Sequence, residues 1–146
     1  MLARGFPQVN ATRMTVNVRS LKWAIVPLLG YLAFILPVLV SPPQRHYGAV
    51  LFQTYTDASY TLGWPTWVLF FLLGVGLGFF GFQREGVAGC LSVIVLPILA
   101  VIEMIKQGTS HNLWPFEFLV YAVMAATVVI GSLTGKRMRG LWERRN

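Results

Sequence analysis

Long apolar runs and short polar breaks divide the chain. The runs cover about 23–40, 65–82, 87–105 and 115–133. The first, Trp23 to Val40, holds 18 residues. At 1.5 Å per residue it reaches about 27 Å, close to the ~30 Å hydrocarbon core of a bilayer. Each run is therefore read as a membrane-spanning helix. Pro27 and Pro37 fall inside the first run, and such helices persist in lipid because the backbone has no better partner than itself. Ser41-Pro42-Pro43 stops it. Trp64-Pro65 opens the second run, with proline at a first-turn position where a missing N–H costs little. Gln83-Arg84-Glu85-Gly86 is too short a link for anything but antiparallel neighbours, and the third run is expected to bend near Pro97. The fourth starts at Trp114 or Pro115.

The pattern predicts an all-α fold, an integral membrane bundle of four transmembrane helices. A basic N-terminal segment, 1–22, precedes a membrane domain at 23–134, and a basic tail follows at 135–146. A cleavable signal peptide is the competing reading of the first run. That run is too long for an ordinary apolar signal core, and no small-residue cleavage site follows it. The longest connection, 41–64, carries Tyr47, Phe52, Tyr55 and Tyr60. Amphipathic aromatics favour the headgroup zone, so this loop is expected along the membrane surface, with a short interfacial helix over roughly 48–56.

Composition agrees. Hydrophobic residues make up 55% of the chain and charged residues 12%, half of the roughly one quarter a soluble domain carries. The net charge of +7 sits at the chain ends and beside the apolar runs. That distribution suits an anionic lipid leaflet and argues against nucleic acid as a partner. Cys90 is the one cysteine, so neither a disulfide framework nor a cysteine metal motif is available. It is expected inside the third helix as an inert core thiol.

Charge also orients the bundle. Four spans put both termini on one side. With that side cytoplasmic, the inside holds Arg4, Arg13, Arg19, Lys22, Arg84, Lys136, Arg137, Arg139, Arg144 and Arg145. The outside holds only Arg45 and Lys106. Ten cations against two is a strong positive-inside bias. The expected location is a plasma (inner) membrane, multi-pass, with N and C termini cytoplasmic.

Two sets of small residues suggest helix packing. Gly74 and Gly78 are four apart and Gly81 continues their face, while Ala122 and Ala126 form a second such face on the fourth span. A nucleotide-binding loop at 74–78 is excluded, because no strand precedes it and no lysine follows.

Three of the five acids and both histidines fall on the outer side: Asp57, Glu103, Glu117, His46 and His111, with Asn112 alongside. Local structure accounts for several of them. Glu117 would be third in its helix, near free N–H groups and the positive end of the dipole. Glu103 would pair with Lys106, three residues on. His111 and Asn112 would cap the fourth helix or bind headgroups. The chemical reading joins Glu103, His111 and Glu117, with His46 or Asp57, as ligands for a divalent metal or as general acid and base. No HExxH-like signature supports it, and no cofactor is expected. A transporter needs a polar group at mid-membrane. In span count the chain resembles the small multidrug transporters, but its first span lacks their central glutamate.

The leading expectation is a small polytopic membrane protein, a non-enzymatic subunit or accessory factor packed against another membrane protein or a second copy. The alternative is a membrane enzyme or binding protein for a lipid or cell-envelope precursor at the outer leaflet, acting through Glu103, His111 and Glu117.

Overall fold

The computed structural model describes residues 18–44, 52–82, 84–107 and 114–145. Among them six helices form: α1 (Val18–Val40), α2 (Gln53–Tyr60), α3 (Trp64–Phe79), α4 (Glu85–Val93), α5 (Val95–Gln107) and α6 (Trp114–Glu143). The fold is an all-helical bundle.

α1 runs unbroken through Pro27 and Pro37. Pro65 stands in the first turn of α3, where its missing N–H leaves no bond unmade. α3 ends in a Schellman motif: Phe82 N–H bonds the Leu77 carbonyl and Gly81 N–H bonds that of Gly78. Gly81 takes the left-handed conformation that motif requires, at φ 82°. It ends the helix, and a Cβ there would meet the end of the Arg139 side chain of α6. The third run is interrupted at Ile94, between α4 and α5. Pro97 has no N–H to offer the Val93 carbonyl four residues back, which is why the break falls there.

α1, the α4–α5 pair and α6 are each long and apolar enough to cross a membrane. α3, at 16 residues, reaches that length only together with α2, from which it is bent by 106°. Large apolar side chains cover the outside of the helices: Leu28, Leu32 and Leu39 of α1, Leu72 of α3, Ile98 of α5, Leu119 and Ile130 of α6. A water-soluble bundle would not expose them on this scale.

α3 and α6 pack most closely. A side chain at Gly74 would strike the Val128 carbonyl, and one at Gly78 that of Ser132. Reciprocally, Gly131 and Gly135 of α6 leave no room for a Cβ against the Phe71 and Val75 carbonyls. Backbones in such contact gain dispersion over their whole length, the main attraction between helices in lipid. The partners of the α3 glycines are thus Gly131 and Gly135. Ala122 and Ala126 face outward on α6 and take no part in this contact. Gly30 packs in the same way against the Ser92 backbone, joining α1 to α4.

One end of the bundle carries Arg84, Lys136, Arg137 and Arg139. There Lys136 binds Glu85 at 2.9 Å, and Trp23 meets Phe82 edge to face with ring centres 5.2 Å apart. α6 does not stop near residue 133 as expected. It continues as helix to Glu143, supported by an Arg139–Glu143 pair one turn apart at 2.7 Å. Cys90 lies on α4, but it is exposed and not in the core. With every face of that run apolar, hydropathy alone does not tell which side turns inward.

Candidate functional site

α2 builds the opposite end. The expected surface helix exists, shifted to Gln53–Tyr60, and it is docked: Tyr55, Thr56, Asp57 and Ala58 are all buried. The reason is chemical. Tyr55 stacks obliquely on Phe34 of α1, ring centres 5.7 Å apart, and its hydroxyl is hydrogen-bonded to that of Tyr121 on α6. Thr56 Oγ1 lies 3.1 Å from Glu103 Oε1 on α5 and donates to it. Asp57 is 2% exposed and accepts 2.9 Å from Gln53 Nε2 one turn earlier.

Between α2, α5 and α6 lies a partly open cavity of about 230 Å³. α2 contributes Tyr55, Thr56, Ser59 and Tyr60; α5 contributes Ala100, Glu103 and Met104. α6 contributes Phe116, Glu117, Val120 and Tyr121, and Leu62 closes the side next to α3.

Glu103 and Glu117, from different helices, border this one space. Glu103 is 7% exposed, and its carboxylate turns to Thr56, not to Lys106, which is exposed. The expected Glu103–Lys106 pair is absent among the described residues. Glu117 stands in the first turn of α6, half-buried, as its position after Pro115 implies.

His111, Asn112, Arg45 and His46 lie outside the described residues. Among the described ones, no group of three or more His, Cys, Asp or Glu side chains is placed to hold a metal. Sequence reasoning overlooked Tyr121 and Thr56. Tyr121 had a signal: a phenol within an apolar run must find a polar partner when buried.

The arrangement can grip a small molecule at one polar end and shelter its apolar part. A cavity of ~150 Å³ accepts benzene, so this one has room for a somewhat larger molecule. No family model, no curated protein and no solved structure matches the chain.

Proposed function

We propose that the chain is a four-span integral protein of a plasma (inner) membrane, with cytoplasmic termini, that holds a lipid-like or cell-envelope precursor molecule at the outer leaflet. The observation that carries the reading is the convergence of Glu103 and Glu117 on one cavity at the end remote from the basic tail. Acids this close to an apolar span are costly unless they have a task. The apolar exterior supports the spans, and ten cations against two support the orientation.

Native mass spectrometry of the chain released from mild detergent tests it. An amphiphile should accompany the wild type and be lost from Ala100→Phe, which fills the cavity. It should survive in Val68→Phe, on the exposed face of α3. Equal retention in both variants would remove the cavity from the reading.

A second reading, an accessory subunit of a membrane complex, has one observation of its own. Ala122 and Ala126, one turn apart, leave a low strip on the outer face of α6, where another helix fits closely. Leucine at both positions should then abolish co-purification of a partner or self-association. A lone monomer in mild detergent would count against this reading.

A further inference from the structure

The cavity has a polarity along its depth. Glu103 lies four residues before the end of α5, about 6 Å in, and Glu117 three residues after the start of α6, about 4.5 Å in. Ala100 and Tyr121 lie seven residues from those same ends, about 10 Å in. The acids therefore stand near the mouth, at headgroup level. The floor is Ala100, Val120 and the joined phenols.

Charge narrows the occupant. No Lys, Arg or His lines the cavity among the described residues. Glu103 is more than nine-tenths buried, and the one hydrogen bond it accepts there reaches Oε1 only. Even that donor is shared, since Thr56 Oγ1 also lies 3.2 Å from the Phe52 carbonyl. The other oxygen of Glu103 is not a buried orphan, so it is reached from the cavity. It is left for whatever enters. An anionic headgroup would meet two like charges in a low dielectric. A cation would meet two carboxylates and the rings of Tyr60 and Phe116, whose π faces attract ammonium groups.

We infer that the ligand is an amphiphile with an ammonium head, gripped by Glu103 and Glu117 with its apolar part directed at Ala100 and Val120. The inference rests on the ligand-holding reading above and gives it a chemical class. The ammonium can belong to an ethanolamine phospholipid or to a free long-chain amine.

The test uses the full chain in nanodiscs of phosphatidylglycerol, which carries no ammonium. Decylamine, decanol and decyl sulfate are titrated separately, and the thermal unfolding midpoint is read. Decylamine alone should raise the midpoint saturably. Glu117→Gln, at the half-exposed position, and Glu103→Gln should each raise the half-saturating concentration about tenfold or more. If the buried Glu103→Gln variant fails to fold, Glu117→Gln still decides. Decanol or decyl sulfate acting as strongly as decylamine would overturn the ammonium class and leave the cavity a ligand site. A flat response to all three would overturn both. Adding ethanolamine phospholipid to the nanodiscs and detecting bound lipid by native mass spectrometry separates the sources. Lipid retained by the wild type and lost from Glu103→Gln assigns a membrane headgroup; binding of decylamine alone assigns a free amine.

Discussion

Tyr55 on α2 and Tyr121 on α6 meet hydroxyl to hydroxyl in the buried end of the bundle, 66 positions apart in the chain. This bond, with the Thr56–Glu103 bond beside it, turns a connecting segment into one wall of the cavity. Removing one phenol oxygen leaves the other hydroxyl without that partner, at a cost of roughly 1–3 kcal/mol, whereas removing both is milder. Tyr55→Phe and Tyr121→Phe should each destabilise the chain in denaturant titrations in mixed micelles. The double variant should lose about 1 kcal/mol less than the sum of the two. Strict additivity would mean that the hydroxyls do not act on one another.

Gly76 and Gly78, two residues apart on α3, should respond oppositely to alanine. A methyl at Gly78 runs into the Ser132 backbone, while at Gly76 nothing stands within 4 Å. Overpacking against an immovable backbone costs roughly 1–3 kcal/mol. An alanine in open space gains about 0.5–1 kcal/mol of helix propensity. The same titrations should therefore rank Gly76→Ala above wild type and Gly78→Ala below it. Equal effects would sink the close α3–α6 approach.

That contrast marks what could be read from residues alone. The apolar runs were legible because each helix satisfies its own backbone, so length and hydropathy suffice without knowledge of neighbours. Pro65 and Pro97 were legible for the same reason: a missing N–H acts locally. What was illegible depends on rotation. When a helix is apolar all round, sequence does not say which face turns inward, so Cys90 was expected in the core, whereas it is exposed. The Gly131–Gly135 partner of the α3 glycines went unseen. Glu103 was assigned to Lys106 by spacing, yet its real partner, Thr56, lies 47 positions away. Docking of α2 is likewise a tertiary fact, since nothing in its eight residues marks what they pack against.

Ser132 carries a hydroxyl that is buried with no hydrogen-bond partner among the described residues. Ser92, also fully buried, instead donates to the Gly89 carbonyl at 2.7 Å. An orphaned hydroxyl is a liability and a bonded one is not. Ser132→Ala should leave stability unchanged or raise it by about 1 kcal/mol, while Ser92→Ala lowers it by roughly 0.5–1.5 kcal/mol. A marked loss in Ser132→Ala would show that the hydroxyl has a partner, such as a buried water, that it cannot do without.

Orientation is the premise of the outer-leaflet site, and the helical tail makes it directly testable. α6 stays helical to Glu143, so a reporter fused after Asn146 reads the side on which the basic end emerges. The Lys136–Glu85 pair ties that end to the start of α4, which puts the α3–α4 link in the same compartment. On the proposed orientation, ten of the twelve cations of the sequence would share that compartment, and positive-inside sorting would hold it in the cytoplasm. Expressed in a bacterial inner membrane, a fluorescent protein that matures only in the cytoplasm should glow after Asn146, and alkaline phosphatase fused there should be inactive. The same phosphatase inserted in the 108–113 connection should be active, because on the proposed orientation α5 leaves the membrane, and α6 enters it, on the outer side. The reverse pattern would put Glu103 and Glu117 on the cytoplasmic face, and an outer-leaflet ligand would then have no route to them.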